Sequence, residues 1–389
     1  MHKLEAVNKH RKFSQTKNME TYYVVAGDLH LDKIQYGLSV RYEDNLRCLN
    51  AILEDAEKSP GARGLILTGD TFNKKTLLPK YQMLLANMHQ RIKQAGKLLL
   101  AIDGNHDRSD SSWLDTVDPE INADGKTLDI DGCQAAFFSF RPRAELLDRL
   151  KNLSKVSVVF LHGRLLELMP WAASQKNPDY DFSANEIREV GISGCTFFLG
   201  DLHTYYDYLD CAANNWFIYS GSTEMTQITE GSIVSHRFGD RYDPVKKYLR
   251  FYPGRKLGGN WETVDLPNRP FLRRVVSAAE RPEIAISAIN DWVEAHPEGI
   301  LAVYLPDEFR RDFRAPMEQW RKQLLTLFDV PLPGGDSKPL QDLRDTDLLQ
   351  IADRELTLEQ AQILKTVLTH EPFDTELGDL LSVHGKEAA

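Results

Sequence analysis

Long apolar runs are missing from this 389-residue chain. Stretches such as LLLAI and VSVVFL are far shorter than the roughly 20 residues that a membrane-spanning helix needs. Cysteine is scarce too. Cys48, Cys133, Cys195 and Cys211 form no CxxC pair, which argues against a disulfide scaffold or a zinc ribbon and suits a reduced, cytoplasmic setting with ordinary packed thiols. The opening segment, MHKLEAVNKHRKFSQTKNME, is polar and basic and has no apolar h-region, so residues 1–20 read as a flexible arm rather than a secretory signal. An excess of positive charge is also absent. The net charge of -10 argues against a simple nucleic-acid binder.

The distribution of charge softens that last exclusion. Leu340 to Ala389 carries eleven acidic and four basic residues, a net of -7, so the C-terminal stretch holds most of the excess. Pro244 to Val275 runs the other way, with Lys246, Lys247, Arg250, Arg255, Lys256, Arg269, Arg273 and Arg274 against Glu262 and Asp265. Such a stretch is either a phosphate-contacting patch or a solvated face.

What the chain does have is alternation. From Thr21 to about Gly239, short β-like runs (YYVVA, GLILT, KLLLAID, AAFFSF, VSVVFLHG, CTFFLG, WFIYSG) are separated by helix-like segments, including Tyr42–Lys58 and Pro79–Gln94. This pattern predicts an α/β domain with buried strands. The Pro/Gly-rich YPGRKLGGN, residues 252–260, reads as a boundary that ends a first domain near residue 255. A smaller βαβ unit follows over 256–335: FLRRVVSAA as strand, RPEIAISAINDWVEA as helix with Ile284, Ile286, Ile289, Trp292 and Val293 mostly on one side, and LAVYLP as strand. After the linker VPLPGGDSKP, residues 336–389 read as terminal helices. Thr357 to Gln360 forms a capping-box start, with Ala361, Leu364, Val367 and Leu368 on one face and Leu377, Leu380 and Leu381 in a second short helix.

Five polar motifs lie in order, each at the carboxyl end of a strand-like run: Asp28-x-His30, Gly69-Asp70, Gly104-Asn105-His106-Asp107, His162-Gly163 and Gly200-Asp201-Leu202-His203. Ligands of open α/β sheets bind outside the carboxyl ends of strands, so five strand ends would deliver these side chains to one place. Carboxylate, imidazole and amide oxygen together suit Mn, Fe or Zn better than an all-oxygen Mg or Ca cage. A pair of such ions about 3.5–4 Å apart is the arrangement for in-line attack at phosphorus. Each motif alone is weak, since a lone GD is most often a turn and a lone His162 most often a core histidine. Their order is the signal.

The series DxH…GD…GNHD…H…GxH resembles the signature of calcineurin-like metallophosphoesterases. GDLHLD followed by Arg41 and Asp44, LILTGDTFN, AIDGNHDR and FFLGDLH…IYSGS are similar to the SbcD-type nuclease subunit, including phage versions. The resemblance implies a four-layer α/β/β/α sandwich over residues 21–255, a DNA-capping domain over 256–335, and C-terminal helices that dock an SbcC-like SMC-type ATPase. It implies one metal held by Asp28, His30, Asp70 and His203, and a second by Asp70, Asn105, His162 and residue 201. Manganese is the expected ion, with magnesium or zinc as alternatives. His106 is implied as proton donor or phosphate-stabilising group, with Asp107 as the group that orients it. The two GDLH copies are therefore not a repeat but opposite walls of one centre.

Three positions depart from the family pattern. Asp201 stands where the last motif usually has a histidine. It is expected to ligate as a carboxylate; pointing away and a damaged second site are the alternatives. Thr68 replaces a glycine, and Asn73 stands where a DNA-proximal histidine is common. The resemblance implies a Mn-dependent exonuclease and endonuclease in DNA end processing, recombination and repair, acting on DNA ends and single strands. It also implies a homodimer, for which Leu84, Leu85 and Met88 are candidate contacts, core burial being their default reading. A small-substrate phosphodiesterase and a catalytically weak end-binding scaffold are the competing functions.

Overall fold

The computed structural model describes residues 20–331 except 76, 108–111, 154, 170–179, 227–240 and 243–244. Most of the basic arm expected over residues 1–20 and the terminal helices expected over 336–389, with their capping box at Thr357, lie outside the described residues.

The first half of the chain alternates strand and helix as its sequence pattern requires. In order come β1 (Tyr22–Ala26), α1 (Val40–Lys58), β2 (Ala62–Thr68), α2 (Pro79–Gln94), β3 (Leu98–Ile102), α3 (Trp113–Val117), β4 (Thr127–Ile130), β5 (Cys133–Phe138), α4 (Arg143–Lys151), β6 (Val158–His162), α5 (Ala184–Glu189), β7 (Thr196–Gly200), β8 (Tyr206–Asp210) and β9 (Asn215–Tyr219). The remainder holds β10 (Arg241–Tyr242), β11 (Lys247–Phe251), β12 (Trp261–Asp265), β13 (Phe271–Val275), α6 (Pro282–Ala295), β14 (Ile300–Leu305), α7 (Arg310–Trp320) and β15 (Thr326–Pro331).

Two sheets make the larger domain. One has the order β12-β11-β1-β2-β3 and the other β4-β5-β6-β7-β9-β8. Alternate residues of a strand face opposite ways, and here both faces are buried. Val24 and Ala26 pack with Cys48, Leu49, Ile52 and Ala56 of α1. Tyr23 and Val25 turn inward and meet Phe137, Phe160, Phe198 and Ile218 of the second sheet. The outer face of that sheet, with Phe197 and Phe217, is covered by Leu146 and Leu150 of α4 and Ile187 of α5. The result is an α/β/β/α sandwich. At its centre Phe137, Phe160 and Phe198 stack in sequence, with ring centroids 4.8 and 5.3 Å apart.

The domain boundary is displaced from the expected one. Residues 252–260 are the hairpin between β11 and β12, and both strands belong to the first sheet. Pro and Gly mark turns as readily as linkers, and only the pairing distinguishes them. Apart from β10, the smaller domain begins after Leu266. It holds a sheet of order β10-β13-β14-β15 in which β13, β14 and β15 run parallel. The expected βαβ unit is thus followed by a second, built on α7 and β15. Helices α6 and α7 cover one face through Ile289, Trp292, Val293, Phe313, Met317 and Trp320. Ile284, expected on the buried side of α6, is 52 % exposed, because Ala285 takes the core position one residue on.

The other face of this small sheet carries Phe271, Ile300, Ala302, Tyr304 and Val330, and is closed by Met225 and Tyr36 from the larger domain. Ion pairs reinforce the junction. Arg269 grips Asp44 of α1 with two hydrogen bonds of 2.7 and 2.9 Å. Arg41, fully buried, joins Asp44 to Glu224.

Other expectations are also decided by packing. Leu85 and Met88 are core residues, and Leu84 packs partly against the same core. Cys48, Cys133 and Cys195 are buried, but Cys211 is exposed rather than packed. No helix among the described residues is long and apolar enough to cross a membrane. Most of the basic stretch is consumed internally. Lys246 donates to the His203 carbonyl, Lys247 pairs with Asp265, Arg250 with Asp55, Arg255 with Glu20 and Glu262, Arg269 with Asp44 and Arg274 with Glu280. The run is dense because strands β11 to β13 use cations to tie elements together, so it does not form a continuous phosphate-binding surface.

Candidate metal centre

The parallel strands β1, β2, β3, β6 and β7 all end on one side of the sandwich, and each releases one of the five motifs there. Asp28, His30 and His203 place donor atoms within 4.8 Å of one another, and so do Asp28, Asp70 and His162. Asp28 is common to both groups, and the Asp70 carboxylate of the second also reaches toward the first. Its Oδ2 is 3.8 Å from His30 Nε2, and its Oδ1 is 3.7 Å from His162 Nε2. One carboxylate with an oxygen toward each imidazole is suited to bridging two ions.

The strand ends reach this geometry through unusual backbone. Asp28, His30 and Asp70 have φ of 52°, 45° and 50°, and Asp201 has φ of 105°. Positive φ is uncommon outside glycine, and its clustering at a site is typical of strain held for function. Close approach does the rest. A Cβ at Gly104 would overlap the Asp70 carboxylate and fall 2.5 Å from the Asp70 amide nitrogen; one at Gly200 would fall 2.6 Å from His162 Nδ1. Gly104→Ala is therefore expected to destabilise the protein by about 1–3 kcal/mol, the usual range for overpacking. It should also weaken manganese uptake by displacing Asp70. Thermal denaturation and isothermal titration would check both, and an unchanged affinity would contradict the role given to Gly104.

Partners outside the motifs set the imidazole tautomers. His162 Nδ1–H donates to the Thr68 carbonyl at 2.8 Å, which leaves Nε2 with its lone pair toward the centre. That Nε2 is buried with no hydrogen-bond partner, and so is Asn105 Oδ1. Orphaned buried acceptors are costly, and an imidazole nitrogen of this kind 3.7 Å from the Asp70 carboxylate fits a cation. His203 Nδ1 meets Thr226 Oγ1 at 2.9 Å, so its Nε2 faces His30 Nε2 at 3.1 Å. Two imidazole nitrogens this close are well arranged to share an ion.

Electrostatics agree. Burial pushes the Asp28 carboxyl up to about 7, with the imidazoles of His162 and His203 opposing it. Asp70 is raised well above the usual carboxylate range, by burial first and by Asp107 next. Without a cation these carboxylates resist ionisation, and a dication would remove the reason.

One residue does something other than expected. Asp107 does not touch the His106 ring. It accepts from the backbone N–H of Thr71, Phe72 and Gly104 at 3.0, 2.8 and 3.2 Å, and so fastens the loop after β2 to the loop after β3. The His106 ring is instead set by the Asn73 carbonyl, 3.3 Å from Nδ1, with Nε2 4.0 Å from Asp70 Oδ2. Burial lowers the His106 pKa, so the ring is mainly neutral at pH 7.

Asp201 lies in neither donor group. Its backbone N–H donates to both oxygens of Asp28, and its Oδ2 sits 3.4 Å from Arg164 Nε. Arg164 also lies 3.4 Å from Asp181. Thr226, Arg164 and Asp181 had no motif to announce them, although Arg164 directly follows His162-Gly163, and Thr68 was marked only as a departure from the family pattern.

Residues 22–190 match the calcineurin-like phosphoesterase family. This segment carries a calcineurin-like phosphoesterase domain. It is 28% identical over 167 residues to the DNA double-strand break repair protein Mre11 of Sulfurisphaera tokodaii, covering 39% of this chain and 43% of that protein. It is 28% identical over 225 residues to the uncharacterized metallophosphoesterase YhaO of Bacillus subtilis, covering 54% of each. The similarity thus spans about half the length of these curated relatives. Among solved structures, that of TT1561 from Thermus thermophilus aligns with 99% of its own chain and 63% of this one, at 13% identity and a TM-score of 0.37. The calcineurin-like phosphoesterase domain fits a divalent-metal requirement, and the two donor groups supply the residues to meet it.

Proposed function

We propose that this protein is a two-metal, manganese-dependent DNA nuclease that acts on DNA ends and single strands in end processing and repair. It works as an SbcD-type subunit with an SbcC-like coiled-coil ATPase, as a homodimer. The observation that carries the chemistry is the pair of donor groups joined at Asp28, with the Asp70 carboxylate of one reaching His30 of the other. The choice of DNA rests on the similarity to a double-strand break repair protein and on the small domain seated beside the centre through Met225.

In this reading Asp28, His30, Asp70 and His203 hold one ion, and Asp70, Asn105 and His162 the other. The ions supply Lewis acidity for the phosphoryl oxygens and activate water at neutral pH. The protein's own groups position the reaction. Asp107 locks the loops that carry Asp70 and Asn105. Thr226 and Thr68 fix the ligating nitrogens. His106, turned by the Asn73 carbonyl, holds its Nε2 beside Asp70, where the protonated ring would serve the leaving oxygen.

A small-substrate phosphodiesterase is the second reading, favoured by the internal pairing of most cations between 244 and 275. End-labelled linear duplex and single-stranded DNA, incubated with the full chain in Mn2+ or Mg2+, separates the two. Cleavage in Mn2+ that EDTA abolishes is the expected result. Turnover of bis(p-nitrophenyl) phosphate with intact DNA, both alone and with a coiled-coil ATPase added, would overturn the nuclease reading.

A further inference from the structure

One buried cation has no role in the scheme above. Arg273, on β13 of the small domain, is 6 % exposed. Its guanidinium lies 4.6 Å from the centroid of the Tyr304 ring. Its Nε and Nη1 are buried with no hydrogen-bond partner. The neighbouring Arg274 offers a contrast, since its guanidinium donates to Glu280 and to the Val275 carbonyl.

A desolvated guanidinium with idle N–H groups is unfavourable unless an anion completes it. Stacking on Tyr304 uses one face of the guanidinium and leaves its N–H edge, the fork that matches an oxyanion. The same face of the sheet carries Met225. The next residue, Thr226, holds His203 of the metal centre.

We propose that Arg273 and Tyr304 form an oxyanion site in the small domain that takes a phosphoryl group. The phosphoryl assignment rests on the reading of the neighbouring centre as a phosphodiesterase. The site itself does not, because neither of its residues belongs to the donor groups. A phosphodiester of a nucleic acid and free phosphate share this chemistry.

The test is binding of inorganic phosphate, acetate and a short single-stranded oligonucleotide to the full chain, with and without Mn2+. Wild type, Arg273→Met and Arg273→Lys are compared by calorimetry and thermal denaturation. Phosphate is expected to bind wild type without Mn2+, and Arg273→Met to weaken it more than tenfold. Arg273→Lys, which keeps the charge but loses the fork, should fall between them. In anion-free buffer Arg273→Met should melt no lower than wild type, since it removes an uncompensated charge. Oligonucleotide affinity that falls with phosphate affinity identifies the source as a nucleic acid; phosphate affinity that falls alone identifies free phosphate. Four results would each overturn the proposal: phosphate binding only with Mn2+, acetate bound as tightly as phosphate, affinities unchanged in both variants, or a lower melting point for Arg273→Met without anion. None of these readouts requires hydrolysis, so a protein that cleaves no DNA would still report on the site.

Discussion

Replacing His106 by alanine is expected to lower metal-dependent phosphodiester cleavage by about 10²–10⁴-fold, the range for loss of a general acid or base. Metal uptake should stay the same, because His106 belongs to neither donor group. Folding should be nearly unaffected as well. The side chain is 46 % exposed and its ring meets the Asn73 carbonyl, the edge of Asp70 and the His30 ring, so a change within about 0.5 kcal/mol is expected. Single-turnover cleavage beside a calorimetric manganese titration separates these effects. A variant that loses both activity and metal would make His106 a ligand, and one that keeps full activity would remove it from the chemistry.

Asp28→Asn should act in the opposite sense on stability. Its carboxyl is fully buried and reaches about 7 in the folded protein, against 3.8 for the ordinary group. The native state therefore binds more protons than the unfolded chain between those values, and the metal-free protein loses stability as pH rises through that window. Above about pH 7 the whole cost is present, up to about 4 kcal/mol at 1.36 kcal/mol per unit. Asparagine carries none of it. The metal-free variant is expected to be more stable than wild type at pH 8 and indistinguishable from it near pH 4. Its manganese affinity should drop by more than the roughly 100-fold that loss of an outer partner costs. In wild type, affinity should itself weaken as pH falls below about 7, because Asp28 and Asp70 must release protons to bind an ion. Thermal melts in EDTA across this pH range, with manganese titrations at pH 6 and 8, check the sign. A variant less stable than wild type at pH 8 would show that Asp28 matters more as the acceptor for the Asp201 amide than as a buried charge.

The combination is informative about how the centre is built. Burial that destabilises Asp28 and Asp70 in the empty protein creates the demand for cations. The loops that impose it are held by Asp107 and by strand-end backbone at positive φ. Stability is given up locally and recovered from the aromatic layer between the sheets and from ion networks such as Arg41 with Asp44 and Glu224.

Much of this was legible in the chain before any coordinates. β-prone runs such as YYVVA and CTFFLG needed only their apolar character to become buried strands, and α2 occupies the segment that its periodicity marked, Pro79–Gln94. The convergence of Asp28, His30, Asp70, His162 and His203 followed from polar residues at the ends of parallel strands, because sheet geometry carries them to one edge whatever the loops do. Tertiary structure decided what depends on a partner distant in sequence. Residues 252–260 became a hairpin because β12 pairs with β11. The cations of 244–275 were taken up by carboxylates as remote as Asp44 and Asp55. Asp107 was drawn to three backbone amides and away from its neighbour's ring, and Asp201 to Arg164. Local periodicity and strand-end chemistry act over a few residues and can be read along the chain. Pairing of charges and hydrogen bonds acts through space, and only the fold brings its two halves together.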